Sequence, residues 1–384
     1  MFQQDAIVTQ ANKVRAEKWA YLTEGIKNNY TKTVTEILLD NEERALASLS
    51  EDSTTGNIST FQTFAFPLIR KVFPESILNQ ICSVQPMTQP AAKIFFLDFT
   101  YGTSPLSGNS VAQYDSRAKD YSVAGDPYAG SPTNKYGEGV LPKEINWQMS
   151  SDVVEAITRK LRAVWTIEAQ QDLKAVHGLE AEAELTTVMA EEIKREVEGD
   201  VLWDMCSTAG TAAEWNATPT GSPDYINQKA YAQKIYEAIL DAANEIYKKR
   251  YVYPNWLIAD PDTCTRLEKL EHFKINPDVG MNNFQIGRSY FGTINNKFNI
   301  YKDPWMPMKA DANSKVYAGR ILMGFKGDSW FQTGYVYAPY VPILITPVLM
   351  DPNDFKPRRG IMTRYGKKAV VPDCFATIDI YNPA

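Results

Sequence analysis

The sequence predicts an α+β protein, in which helices and strands occupy separate runs of the chain. Long stretches with apolar residues at helical spacing lie at residues 181–205 and 228–250. Segments rich in β-branched and aromatic residues lie at 93–101, at 145–166 and at intervals from 285 onward, where Gly, Pro and Asn separate them. The sequence contains no internal repeat and no coiled-coil heptad run.

The composition of the chain argues against several classes of protein. The chain has 384 residues, of which 44% are hydrophobic and 22% charged, as is usual for a soluble globular protein. A net charge of −6 argues against a protein that binds nucleic acid by neutralising phosphates. No apolar run approaches the roughly 20 residues of a membrane span, and no signal peptide is evident. The four cysteines are far apart without a CxxC pair, so we expect buried, reduced thiols.

The N-terminal region reads as a separate arm. Residues 1–50 have helical apolar spacing, with Val14, Leu22, Val34 and Leu38 among the apolar positions. The polar stretch EDSTTGNIST that follows, at 51–60, is typical of a linker. We therefore expect a semi-independent helical arm, followed by an apolar segment that leads into the next domain.

An extended hairpin is predicted at residues 93–165. The strand KIFFLDFTY (93–101) is followed by about forty residues rich in Gly, Ser, Pro, Asp and Tyr, and strand character returns at 145–166. A lone two-stranded ribbon is marginal in water, so this hairpin needs a neighbour. We take the tyrosines of its middle stretch as candidate contacts with another subunit: Tyr114, Tyr121, Tyr128 and Tyr136.

The stretch QDLKAVHGLEAEAEL places His177 close to several carboxylates, which is compatible with a metal site or an acid/base site. The same residues also read as the start of a long helix, since Gly178 can end a short helix and apolar residues recur at every fourth position from 181. Glu180 and Glu184 share a face, whereas Glu182 points elsewhere, so the three carboxylates do not converge. We favour a structural or surface histidine and keep a metal-dependent enzyme as the remote alternative.

Searches for catalytic motifs fail. The sequence lacks a phosphate-binding GxxxxGK[ST] loop, HExxH, a GxSxG elbow and a GxGxxG after a strand. We therefore predict no enzyme activity, no catalytic or metal-binding residue and no cofactor.

One basic cluster stands out in KPRRGIMTRYGKK, at residues 356–368, which contains no acidic residue. It could be a solvated strand edge that its charges keep from pairing. We favour docking against an acidic surface of another copy, because the rest of the chain is acidic. The candidate interface residues are Lys356, Arg358, Arg359, Arg364, Lys367 and Lys368.

Three long collinear segments resemble the major capsid protein of T-even-type tailed phages. They are PLIRKVFPESILNQICSVQPMTQP (67–90), RKLRAVWTIEAQQDLKAVHGLEAEAEL (159–185) and YVYAPYVPILITPVLMDPNDFKPRRGIMTRYGKK (335–368). The resemblance implies the HK97-type capsid fold. It further implies an N-terminal arm (1–60), a segment into the peripheral domain (61–92), an extended loop (93–165), a peripheral domain with a spine helix (166–218), an axial domain (219–345) and a return to the peripheral domain (346–384).

The resemblance also carries a hypothesis about processing. Proteins of that type lose an N-terminal segment to a protease that cuts after Glu in patterns like Leu-x-Glu, and Leu49-Ser50-Glu51 fits that pattern. An uncut arm in the mature shell is the alternative. The extended loop here is too short for the additional domain inserted in the T-even proteins.

These expectations combine into one predicted function: a major capsid protein of a tailed double-stranded DNA phage, assembling as hexameric capsomers into an icosahedral shell. A vertex protein or an encapsulin-like shell protein of the same fold is the alternative. The implied partners are other copies of the chain, vertex, portal and scaffold proteins and a possible decoration protein, with DNA as non-specific contents and no membrane. The implied location is the virion capsid, assembled in the cytoplasm of the bacterial host.

Overall fold

The computed structural model describes residues 2–24, 26, 28–50, 76–101, 145–178, 180–217, 225–250, 252–271, 273–275, 288–308, 315–327, 334–350 and 356–383. Helices and strands are both abundant, which confirms the α+β class. The chain divides into two compact units, the first formed by residues 1–93, 153–201 and 336–368 and the second by 94–152, 202–335 and 369–384. Among the helices of the described ranges, none is long and apolar enough to cross a membrane.

The helices are α1 (Phe2–Thr23), α2 (Asn29–Ser50), α3 (Leu78–Ile81), α4 (Ile167–His177), α5 (Ala181–Thr208), α6 (Tyr225–Arg250) and α7 (Pro261–Glu268). The strands are β1 (Ser83–Val84), β2 (Ala91–Tyr101), β3 (Ile145–Glu155), β4 (Ile157–Val164), β5 (Thr211–Asn216), β6 (Trp256–Ala259), β7 (Phe273–Ile275), β8 (Ser289–Ile294), β9 (Phe298–Lys302), β10 (Lys315–Gly324), β11 (Tyr335–Ile345), β12 (Leu349–Met350), β13 (Pro357–Ala369) and β14 (Phe375–Pro383).

In the first unit, α1 and α2 pack against each other. Leu22, Val34 and Leu38 are buried as the apolar spacing predicted, whereas Val14 is 61% exposed. The arm is more firmly attached than we expected, because the buried Asn41 amide donates to the carbonyls of Met87 and Tyr340 at 2.8 and 3.0 Å. These hydrogen bonds join α2 to the sheet of the first unit and to the segment that precedes β2.

The sheet of the first unit has the order β1-β11-β13-β12, with β4 also paired to β13. The pairing of β4 is antiparallel and runs without interruption from Arg358 opposite Val164 to Tyr365 opposite Ile157. Strands β2 and β3 pair with each other, as the hairpin prediction requires. The predicted strand at 145–166 is interrupted at Ala156, whose N–H donates to the Pro90 carbonyl at 2.8 Å, so its second half joins the sheet instead of the hairpin.

The region around Gly178 folds as predicted. Thr166 caps α4 by accepting from the Ala169 N–H, and Gly178 ends it in the left-handed region at φ 67°. Helix α5 begins at Ala181 and runs for 28 residues. Its apolar stripe is buried at successive turns, at Met189, Ile193, Val197, Val201 and Met205.

The second unit contains a seven-stranded sheet in the order β5-β14-β10-β6-β9-β8-β7. Helix α6 packs on it, and its predicted face contributes Ile235, Ile239 and Ile246 to the core. Strand β14 pairs with β10 in antiparallel and with β5 in parallel orientation. Residues 369–384 therefore lie in this unit, although we expected them in the return to the peripheral domain.

All four cysteines are free thiols. Cys82 and Cys264 are buried, as expected, whereas Cys206 and Cys374 are half-buried. Burial raises the pKa of Cys264 and of Cys206 to about 12, although the positive charges of Lys302 and Arg320 respectively act in the opposite direction. Neither thiol is therefore activated as a nucleophile.

Candidate interaction surface

The basic segment 356–368 lies on β13, and the two-residue period of the strand divides its side chains between two faces. Arg359, Ile361, Thr363 and Tyr365 are buried, and the residues between them are half-buried. The six basic residues therefore do not form one continuous patch.

Arg359 points into the first unit and is only 7% exposed. Its Nη1 lies 2.5 Å from Glu182 Oε1, and its Nε donates to the Thr346 carbonyl at 3.2 Å. Burial lowers the pKa of Arg359, which the charge of Glu182 partly offsets. An ion pair inside its own unit thus satisfies this guanidinium.

Lys367 belongs to a second ion-pair cluster, which is centred on Asp200 of α5. The Asp200 carboxylate accepts from Lys367 Nζ at 3.1 Å, from Tyr365 OH at 2.8 Å and from Arg159 Nη2 at 3.1 Å. Burial alone would raise the pKa of Asp200, but these hydrogen bonds and the charges of Lys367 and Arg159 outweigh it, so the pKa is lowered. The cluster fastens β4 and β13 to α5 within the first unit.

The other predicted interface residues lie closer to the surface. Lys356 is exposed, and Arg358, Arg364 and Lys368 are half-buried. The guanidinium carbon of Arg364 lies 5.2 Å from the centre of the Tyr340 ring, a cation–π distance. These four residues are the part of the cluster that is open to a partner.

A groove of about 610 Å³ lies beside them, between β4, β12 and β13. Four of its lining residues are basic, namely Lys160, Arg162, Arg358 and Arg359, and none of its lining residues is acidic. Leu349 and Met350 are 65% and 57% exposed at its edge. The apolar remainder of the lining consists of Leu161, Leu344, Ile361 and Met362 together with Gly360. Exposed apolar side chains next to basic residues are typical of a surface that another protein covers.

His177 does not gather the nearby carboxylates. It is exposed as the last residue of α4, Glu180 pairs with Lys174 at 3.4 Å, and Glu182 turns to Arg359. Across the described residues, no group of three or more His, Cys, Asp or Glu side chains could hold a metal ion. The carboxylates thus serve the helix start and the ion pairs of the fold.

Some predicted residues fall outside what the structure describes. Tyr114, Tyr121, Tyr128 and Tyr136 lie outside the described ranges, as does Glu51 of the possible processing site. Leu49 and Ser50 of that site are the last two residues of α2. The processing and tyrosine-contact hypotheses therefore stay predictions.

Sequence reasoning missed a buried carboxylate that joins α3 to α5. Glu198 is 4% exposed and accepts from Ser76 Oγ at 2.8 Å and from the Ile77 N–H at 3.2 Å. Its position directly after Val197 in the apolar stripe was the available signal, because a charged residue beside a buried stripe must find a partner.

Comparison with known proteins gives consistent matches. A family model described as "Major capsid protein Gp23" matches residues 58–138 and 128–380. The major capsid protein of Vibrio phage KVP40 is 24% identical over 414 residues, covering 83% of this chain and 78% of the relative. That of Salmonella phage ViI is 24% identical over 389 residues, covering 90% and 86%. A solved capsid chain of cyanophage P-SCSP1u superposes with a TM-score of 0.46 at 11% identity, over 80% of this chain and 88% of that chain, a likeness too low to add to the sequence matches.

Proposed function

The chain belongs to the Gp23 family of major capsid proteins, and from this premise we propose that its copies assemble as hexameric capsomers into an icosahedral shell around double-stranded DNA. It is a major capsid protein of tailed phages and a structural component of the virion capsid. The observation that carries the proposal is the family match, which extends over most of the chain from residue 58 to residue 380. The proposed work of the chain is to present interface area, without catalysis.

The division into two units supports a proposed assignment to the peripheral and axial domains of the HK97-type fold. The first unit, which holds the five-stranded sheet and the first part of α5, is the proposed peripheral domain. The second unit, with the seven-stranded sheet and α6, is the proposed axial domain. The hairpin formed by β2 and β3 would lap a neighbouring subunit, which supplies the partner that a two-stranded ribbon needs.

The groove between β4, β12 and β13 is the proposed contact surface of the first unit. Burying the exposed side chains of Leu349 and Met350 would stabilise an interface at roughly 25 cal/mol per Å² of apolar area. The basic residues at the groove, among them Arg358, would meet acidic surfaces of an adjacent copy, since the chain carries a net charge of −6. Lys356, Arg364 and Lys368 extend the same surface along β13.

Electron microscopy of the purified chain at high concentration tests the assembly. We expect rings, tubes or closed shells, and six-fold rings separate a hexamer-forming subunit from a pentameric vertex protein. Leu349→Asp combined with Met350→Asp should abolish these assemblies, because it places charge in the interface. Val176→Asp, at an exposed apolar residue of α4, is the matched control and should leave them intact. Normal assembly of the double variant would remove the groove from the interface.

The hairpin is tested by deletion. Removal of residues 103–141 should leave a folded subunit that does not form stable shells, as judged by circular dichroism and electron microscopy. Normal shells from the deleted chain would refute the lapping role.

We also propose which other proteins the chain assembles with. Vertex, portal and scaffold proteins, with a decoration protein, would complete the shell, and assembly would take place in the cytoplasm of the host. DNA would be held as non-specific contents, because an acidic subunit repels phosphate. Intact mass spectrometry of DNA-filled particles would identify the partners. It would also show whether the chain is cut after Glu51.

A further inference from the structure

Helix α2 buries a carboxyl group for which the described residues provide no hydrogen-bond partner. Glu42 is 0% exposed, and the adjacent turn contributes Leu38 and Leu39 to the same interior. Within the part of the chain that the structure describes, neither carboxylate oxygen of Glu42 has a hydrogen-bond partner. Fully buried glutamates are rare unless they are paired, because an ionised carboxylate loses its hydration on burial.

The surrounding charges are engaged elsewhere. On α1, Arg15 bonds to Asp40 at 2.6 Å and Lys18 pairs with Glu43. Lys32 of α2 and Arg15 act on the other buried glutamate of the helix, Glu36, and oppose the increase in pKa that burial causes there. On the sheet, which α2 meets through the Tyr340 carbonyl, Arg364 lies over the Tyr340 ring.

Glu42 therefore differs from the other acidic residues of α2 in what determines its pKa. Burial raises the pKa of Glu42 from 4.5 to about 8, and no positive charge among the described residues opposes the change. Asp40 shows the contrast, since hydrogen bonds from Trp19 and Arg15 outweigh burial and lower its pKa. The buried face of α2 thus accommodates Glu42 in its neutral form.

In the described part of the chain, polar contacts join α2 to the rest of the first unit. The Asn41 amide spans the carbonyls of Met87 and Tyr340, and Tyr30 OH donates to the Val84 carbonyl. The burial of the face that contains Glu42 contributes to this attachment as well. Placing a negative charge on that face therefore acts directly on the attachment.

We propose that α2 is a pH-sensitive clamp. The α1–α2 pair lies against the rest of the first unit while Glu42 is protonated, and loss of the Glu42 proton to solvent releases the pair. The sign follows from linkage, because a carboxyl whose pKa is raised in the attached state stabilises that state at low pH and loses this effect as pH rises. Between the free value of 4.5 and the attached value of about 8, each pH unit favours release by about tenfold. The inference concerns the arm of a single chain and does not rest on the proposed assembly.

Amide hydrogen exchange of the full-length chain at pH 6 and pH 9 tests the clamp. After correction for intrinsic exchange, the opening equilibrium of α1 and α2 should rise by about 100-fold between these pH values. Glu42→Gln keeps the shape and removes the charge, so its opening should not change with pH. Glu43→Gln, at the adjacent half-exposed glutamate, should retain the full dependence of the wild-type chain.

The outcomes are distinct. A wild-type chain whose arm exchanges equally at both pH values overturns the proposal, and so does Glu42→Gln with the wild-type dependence. If Glu42→Gln does not fold, Glu42→Met provides a second neutral side chain and should also remain attached at pH 9. Release of the Glu42→Met arm at pH 9 would assign the effect to another group.

Discussion

Replacing Gly324 by Ala should destabilise the second unit through a steric conflict in the middle of its sheet. Gly324 ends β10 and lies opposite both Trp256 of β6 and Phe375 of β14. A Cβ atom at this position would lie 2.3 Å from Trp256 Cζ2 and 2.7 Å from Phe375 Cδ1. Carbon atoms pack at about 3.5–4.0 Å, so both rings would have to move away by about 1 Å.

The magnitude depends on whether the rings can move. Trp256 and Phe375 are 1% and 0% exposed, and their ring centres lie 6.0 Å apart, so neither has a route to solvent. Overpacking of such a core costs about 1–3 kcal/mol. Replacing Gly by Ala also reduces the entropy of the unfolded chain, which stabilises by about 0.4–1 kcal/mol. We therefore expect a net loss of about 1–2 kcal/mol.

Urea denaturation followed by near-ultraviolet circular dichroism measures this loss. Gly360→Ala is the matched control, because the nearest atom to its Cβ would be Thr346 Oγ1 at 3.3 Å. Trp256→Phe removes the ring atom in closest conflict, so Gly324→Ala should cost less in that background. A Gly324→Ala chain as stable as the wild type, or an equal cost in both backgrounds, would refute the steric argument.

Three further predictions concern the first unit. Asp200→Asn should reduce the dependence of the melting temperature on pH in the acid range. Because the pKa of Asp200 is lowered in the folded chain, its carboxylate stabilises the fold above the ordinary pKa of 3.8, and this effect is lost as pH falls through the folded pKa. In melting curves from pH 5 to pH 2, the wild type should therefore melt at a higher temperature than the variant only at the upper end of the range. Glu182→Ala should lower the free energy of unfolding by about 1–3 kcal/mol, and by more than Arg359→Met does. The first change removes the ion-pair partner of a buried guanidinium, whereas the second leaves a carboxylate that water can reach. Equal losses of stability in urea would contradict this asymmetry. Thr166→Ala should cost about 1 kcal/mol by removing the cap that accepts from Ala169, with Thr166→Ser as a control that retains it in thermal melts.

Local patterns made the helices predictable. The apolar step of four in α5, the glycine at 178 and the apolar spacing of α6 each act within a few residues, and the structure confirms all three elements. These features depend on neighbouring residues, which the sequence presents directly.

Contacts between residues far apart in the sequence were harder to predict. Asn41 bonds to carbonyls 46 and 299 residues away, and nothing in the residues around it indicates either partner. The basic segment was predicted in part. Its charge predicted an exposed patch, whereas the two-residue period of β13 places Arg359 on the buried face, where it pairs with Glu182. Counting alternate positions from Arg359 through Ile361 and Tyr365 would have indicated which charge needed an internal partner.

The position of β14 between β5 and β10 has a consequence for synthesis of the chain. Until residues 375–383 have left the ribosome, β5 has no strand beside it and β10 presents an unpaired edge. Such an edge is a template for pairing with other chains, and many copies of a capsid subunit are made close together. A chain in which β14 has not yet paired is therefore more exposed to wrong association than the folded chain, in which β14 covers the edge of β10.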